Sequence, residues 1–201
     1  MLVIAFSLIG QLALVIAGHG VLVEATGLVA PLPVRLLRFF SYFTIQSNLL
    51  AAGTALSLIR SPNRDGRTWR VLRTAALVGM TVTFIVYMVA LRPIVHLDGL
   101  ARLSDLGFHY IAPVMTVAGW IWFGPWPRID TASLVRHLLW PTAYLVYVLA
   151  LGALSGWYPY PFIDVSKLGY GRALLNAALV TVLLLAVGAI YKVIDTKRGK
   201  A

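Results

Sequence analysis

Apolar residues run along the chain in blocks of about 17 to 23, each bounded by proline, glycine or clustered charge, and that length suits a helix crossing roughly 30 Å of hydrocarbon. The pattern predicts six spans, near 1–18, 37–59, 71–91, 105–124, 137–155 and 171–192. The joints between them carry Pro31 and Pro33, the polar segment from Ser61 to Arg67, then Pro93, then Pro125 and Pro127, then Pro159 and Pro161. The first block lacks a basic leader, since Met1-Leu2-Val3-Ile4 is already apolar, so it reads as a retained span rather than a signal peptide. No soluble domain fits between the blocks, and no internal repeat is evident. The expected fold is an all-α integral membrane protein, one six-transmembrane-helix bundle covering residues 1–201.

Composition sharpens this by exclusion. Of 201 residues, 60% are hydrophobic and 12% charged, and mean hydropathy is +0.84, too apolar for the surface of a soluble enzyme. The formal net charge of +10 comes from short basic segments between the blocks rather than one basic face. Anionic lipid headgroups are therefore the expected partner, and nucleic acid is not. Eleven Lys and Arg, among them Arg60, Arg64, Arg67 and Lys197, flank one side, and six, among them Arg38, Arg92 and Lys167, flank the other. The positive-inside rule then puts both termini in the cytoplasm, an N-in/C-in multi-pass protein of the cell membrane. Trp120, Trp122 and Trp126, and at another end Trp157, Tyr158 and Tyr160, fit interfacial aromatic belts. The absence of Cys removes disulfides, thiolate nucleophiles and Cys-ligated metals.

Polar side chains are costly inside a span, so their positions carry information. Thr44, Ser47 and Asn48 on the second span, His109 on the fourth and Asn176 on the sixth fall at one shallow level, and Tyr87 on the third completes the layer. Thr44, Ser47 and Asn48 stand at i, i+3 and i+4, one helix face that can line a chamber. Thr44 alone is explained by bonding a preceding carbonyl near Phe40, and Asn48 by helix packing. On the fourth span Asp105, His109 and Pro113 repeat a four-residue spacing, so the Asp105 carboxylate can orient the His109 imidazole and make its far nitrogen a better base. Equally, Asp105 can be an interfacial carboxylate beside a packing His. Pro113 removes a donor that the carbonyl of His109 would otherwise use, which predicts a kink at the chamber.

Phe43-Thr44-Ile45-Gln46-Ser47-Asn48 on the second span, His109 to Pro113 on the fourth and the Tyr158-Pro159-Tyr160-Pro161 turn before the sixth resemble the androgen-induced protein family of six-span membrane hydrolases. The richness in Ala, Val, Leu, Gly and Arg suggests a bacterial member. The resemblance implies an intramembrane hydrolase of lipid esters, notably fatty acid esters of hydroxy fatty acids, with Thr44 as nucleophile and His109 as base and no cofactor. Asp105 would hold the imidazole, and Asn48, Ser47 or Asn176 would donate to the oxyanion. The loop from Gly156 to Asp164 reads as a lid or an interfacial anchor, and Asp164 and Lys167 as solvated charges.

Two rivals stand beside this reading. His19, His96 and His109 with Asp98 and Asp105 have the residue types of a zinc hydrolase, without a tight ligand spacing. A polar layer that is only helix glue would instead make the chain a non-enzymatic lipid-binding or assembly protein.

Overall fold

The computed structural model describes residues 1–19 and 29–200, and among them every regular element is helical. The order is α1 (Leu2–Ala17), α2 (Leu32–Phe40), α3 (Phe43–Arg60), α4 (Arg67–Val86), α5 (Gly99–Leu106), α6 (Ala112–Phe123), α7 (Thr131–Arg136), α8 (Leu139–Ser155) and α9 (Val165–Arg198). Four helical stretches, Arg67–Leu91, Gly99–Phe123, Thr131–Ser155 and Val165–Arg198, are long and apolar enough to cross a membrane, and Leu2–Ala17 is a shorter apolar helix. The protein is an all-α membrane protein by these criteria.

The helix ends have local causes. Gly18 and Gly156 close α1 and α8 with φ of 79° and 72°, a left-handed conformation that costs a glycine little. Asp130 and Asp164 begin α7 and α9 by accepting from the backbone N–H of Ser133 and of Ser166. Gly169, at φ 72° and ψ 160°, breaks the helical path inside α9, two residues before the apolar block predicted there.

α4 is the axis of the bundle. Ala75, Ala76, Leu77, Val78, Met80 and Val82 are all buried, and α3, α6, α7 and α9 pack around them. Gly79 lets α3 and Trp140 approach: a Cβ there would stand 3.0 Å from the Trp140 ring and 3.2 Å from Ser47 Oγ. α1 packs on α5 and the turn that follows it through small residues, since a Cβ on Gly107 would overlap Ser7 Oγ and one on Gly10 would meet Ser104 Oγ at 2.9 Å. Large apolar side chains point outward instead, with Leu2, Phe123 and Leu154 more than four-fifths exposed, as expected of a surface wetted by acyl chains. Trp120 departs from the aromatic-belt expectation: it is buried in the core edge-on to Tyr191, with ring centroids 4.9 Å apart.

Three departures from regular helix shape the site. The block expected at 37–59 is divided, because the chain turns at Ser41 and Tyr42 between α2 and α3. Ser41 Oγ returns to the Leu37 carbonyl at 2.6 Å and meets Tyr147 Oη at 2.6 Å, while Tyr144 donates to the Ser41 carbonyl at 3.0 Å. The break is thus stabilised by polar groups of α8, and it starts a new helix one residue before Thr44. The other two departures are π-turns, Tyr87–Leu91 after α4 and Gly107–Ile111 between α5 and α6. Each inserts extra residues into the helical path and re-aims the side chains around it. Pro113, just past the second π-turn, lacks the N–H that would have bonded the His109 carbonyl, so the expected distortion takes the form of a π-turn.

Candidate active site

Thr44 sits in the first turn of α3, where backbone N–H groups have no helical partner. Its hydroxyl lies 3.2 Å from His109 Nε2. His109 Nδ1 lies 2.9 Å from Asp105 Oδ1, one helical turn upstream, and 3.2 Å from the Asp105 carbonyl. Tyr87 donates from its hydroxyl to the other carboxylate oxygen, Asp105 Oδ2, at 2.6 Å. The Tyr87 ring also stacks on the imidazole, with centroids 3.9 Å apart and planes at 15°. Thr44, His109, Asp105 and Tyr87 therefore form one chain of contacts, drawn from α3, the two π-turns and the end of α5. Asp105 and Tyr87 fix the ring from its edge and its face. With Asp105 accepting at Nδ1, the hydrogen-bond network assigns the proton to Nδ1 and leaves the Nε2 lone pair facing the Thr44 hydroxyl.

The chain is largely withdrawn from solvent. Thr44 is 7% exposed, and the side chains of His109 and Asp105 are 12% and 14% exposed. Low dielectric strengthens each of these polar contacts.

Tyr160 also reaches Thr44. The Thr44 backbone N–H donates to the Tyr160 hydroxyl at 3.3 Å, and the two side-chain oxygens stand 3.5 Å apart. Burial pushes the Tyr160 phenol above its ordinary value, so it keeps its proton at physiological pH and remains a donor. The loop that carries it is pinned by aromatic contacts: Tyr42 meets Trp157 and Tyr160 edge-on, and Tyr160 stacks on Phe162. The loop thus packs onto the α2–α3 break and covers Thr44.

Two cavities share Thr44, Tyr87 and Tyr160 in their walls. One, of about 240 Å³, is mostly apolar elsewhere, lined by residues such as Val82, Val86, Leu145, Val180 and Leu184, with Thr83, Thr142, Tyr144 and Thr181 among them. The other, of about 400 Å³, holds His109 and Asp105 and includes Gln11, Asp164 and Lys167. Asp164 and Lys167 form an ion pair at 3.4 Å, and Asp164 also accepts from Ser166 at 2.5 Å. Burial alone would raise the Asp164 carboxyl, but the hydrogen bonds from Ser166 and Lys167 outweigh it and hold the group below its ordinary value. These charges cap α9 and border the cavity, beyond the purely solvated role expected of them.

The remaining residues of the polar layer have structural partners. Asn48 donates from Nδ2 to the Thr44 carbonyl at 2.9 Å and, at 3.5 Å, to the Phe108 carbonyl, and so ties α3 to the turn bearing His109. Ser47 is fully buried and accepts from Thr83 at 3.4 Å in the α3–α4 interface. Asn176 donates to the Phe162 carbonyl at 2.9 Å and anchors the loop from α9. The second polar side chain at the Thr44 hydroxyl, beside His109, is Tyr160, which lay concealed in a segment resembling an interfacial anchor. Its sequence signal is the placement of one tyrosine between Pro159 and Pro161. The zinc ligand set is not gathered: His19 and His96 are exposed, and among the described residues no three His, Asp or Glu groups cluster closely enough to hold a metal ion.

No protein-family model, no curated protein and no solved structure matches this chain.

Proposed function

We propose that the protein is an intramembrane lipid-ester hydrolase with Thr44 as nucleophile, His109 as general base and acid, and Asp105 as the residue that orients the imidazole. The observation that carries this reading is the hydrogen-bonded order Thr44 Oγ1, His109 Nε2, His109 Nδ1, Asp105 Oδ1, at 3.2 Å and 2.9 Å. A hydroxyl, a base and a base-orienting carboxylate in that sequence are the parts of an activated nucleophile.

In the reaction His109 Nε2 takes the Thr44 proton as Oγ1 bonds to the ester carbonyl carbon. The carbonyl oxygen becomes an oxyanion, for which the Tyr160 hydroxyl and the Thr44 backbone N–H that now bonds it are the adjacent donors. Collapse expels the alcohol, which receives its proton from His109, and leaves an acyl-threonine. Water then gives its proton to His109 and attacks the acyl carbon. The carboxylic acid departs, and Thr44 regains its proton. Threonine has a β-branched, rotamerically stiff side chain. Burial and the contacts to His109 and Tyr160 set its direction in advance.

The apolar cavity suits the acyl chain and the mixed-polarity cavity suits the alcohol portion, with the scissile carbonyl at Thr44 between them. Fatty acyl esters, such as fatty acid esters of hydroxy fatty acids, have this division. In the same reading the bundle has six spans with both ends cytoplasmic, in the cell membrane, with anionic headgroups at its basic loops.

The test is hydrolysis of a panel of long-chain acyl esters by the protein in lipid nanodiscs, comparing wild type with Thr44→Ala and His109→Ala. The proposal expects turnover by wild type and at least a hundredfold loss in both variants. Equal turnover in either variant refutes the assigned roles.

A further inference from the structure

Arg73 belongs to the second turn of α4, near the end of the bundle where α3 finishes at Arg60, so it is remote from Thr44 at the other end of α3. Its side chain turns into the protein: Arg73 is 7% exposed, and its Nε is buried without a hydrogen-bond partner. No carboxylate pairs with it among the described residues, in contrast to Arg70 one turn earlier, which Asp65 and Asp130 both hold. A guanidinium inside a membrane helix ordinarily pairs with an anion or reaches out to the headgroups, because an uncompensated buried cation is expensive.

Arg73 also lines a cavity of about 370 Å³ that shares no lining residue with either cavity at Thr44. Its other walls are almost wholly apolar: Ile4 of α1, Ala51 and Ala55 of α3, Ala112 and Met115 of α6, with Pro62 and Pro125 at the loop end. Thr116 contributes a hydroxyl already committed to the Ala112 carbonyl at 2.7 Å. Ile59, Met115 and Phe123, which also line the cavity, are each more than half exposed on the outer face of the bundle. One side of the cavity is therefore open to acyl chains.

We infer that this cavity binds an anionic phospholipid, with the phosphate on the Arg73 guanidinium and one acyl chain lying along Ile4, Ile59 and Met115. A guanidinium is suited to phosphate because its planar donors engage two oxygens together. The apolar wall accounts for the chain, and the exposed Arg60, Arg64 and Arg67 at the same end favour an anionic leaflet. The occupant supplies the counter-charge that the protein itself does not.

The experiment is native mass spectrometry of the full chain released from detergent, titrated separately with phosphatidylglycerol, phosphatidylcholine of the same chain length and inorganic phosphate. Wild type is expected to retain one phosphatidylglycerol at least tenfold more tightly than phosphatidylcholine, the size of one charge-assisted hydrogen bond. Arg73→Gln is expected to lose that preference, Arg73→Lys to keep part of it, and Thr44→Ala to keep all of it. A thermal melt of Arg73→Gln in lipid-free detergent controls for folding and is expected to be no lower than that of wild type, since the variant removes an uncompensated charge. Equal binding of the two lipids by wild type, an unchanged preference in Arg73→Gln, or saturation by inorganic phosphate at the same concentrations as the lipid would each overturn the inference. Because Thr44→Ala retains the site, failure here is distinct from failure of the hydrolase reading.

Discussion

Asp105→Asn is the most discriminating single change at the proposed site. The carboxylate accepts from two donors at once, His109 Nδ1 at 2.9 Å and Tyr87 Oη at 2.6 Å. An amide of the same size has one acceptor oxygen and one donor NH₂, so one of these partners must face a donor. If the amide turns its NH₂ to the imidazole, the ring adopts the other tautomer and Nε2 carries the proton, unable to receive one from Thr44. Loss of one charge-assisted hydrogen bond is worth about 1.5–3 kcal/mol, roughly 10- to 150-fold in rate. The wrong tautomer extends the loss towards ~10⁴, the scale known for the corresponding change in a Ser-His-Asp triad. The expectation is therefore a fall in kcat of about 10² to 10⁴ with little change in KM, measured on a chromogenic long-chain ester in nanodiscs. Tyr87→Phe removes one donor but leaves the ring stack, and should cost about tenfold. The double variant should be scarcely worse than Asp105→Asn alone, because Tyr87 would act through Asp105. An Asp105→Asn enzyme within threefold of wild type, or strict additivity in the cycle, would refute the proposed orienting role.

Further outcomes follow from the same geometry. Tyr160→Phe should lower kcat by about 10- to 1000-fold while Asn48→Ala acts mainly on stability, because of these two side chains Tyr160 is the one placed to donate to the oxyanion; steady-state kinetics alongside melting curves separate the two. Gly107→Ala should destabilise the bundle by about 1–3 kcal/mol by thermal melt, since its Cβ would overlap Ser7 Oγ, and Ser7→Ala should relieve much of this. Ser7→Ala alone should be neutral or stabilising, as its hydroxyl is buried without a partner. The Asp65 carboxyl is held well below the usual carboxylate range, chiefly by the Arg70 hydrogen bonds. A depressed folded value contributes stability above the unfolded pKa of about 3.9 and loses it as pH falls towards the folded value. The melting difference between wild type and Asp65→Asn should therefore be present at pH 7 and narrow below about pH 4.

Much of the site was legible in sequence because lipid makes polar residues rare and their depth informative. Thr44 and His109 stood out at one level, and Asp105 by its four-residue spacing from His109, which is the spacing across which the two bond. What escaped were features set by distant chain segments. The turn at Ser41 and Tyr42 lies within an apolar block and is held by Tyr144 and Tyr147, about a hundred residues away, so nothing local marks it. That turn matters because it puts Thr44 at a helix start, where its backbone N–H donates to the Tyr160 hydroxyl rather than to a helical carbonyl. Asn48 and Asn176 were read as possible oxyanion donors from their depth, but depth does not reveal direction, and both amides bond carbonyls that hold neighbouring segments. Tyr87 was placed in the right layer without a role, since the π-turn that begins at it and turns it onto His109 has no simple sequence signature.

The central claim is that Thr44 forms a bond to the acyl group. Its most direct test is to quench a reaction with a slowly deacylating long-chain ester, or with a covalent hydrolase probe, and map the modified peptide by mass spectrometry. The account predicts one acyl or probe adduct on Thr44, absent in Thr44→Ala and strongly reduced in His109→Ala. An adduct on another residue, or ester hydrolysis by Thr44→Ala at the wild-type rate, would contradict it.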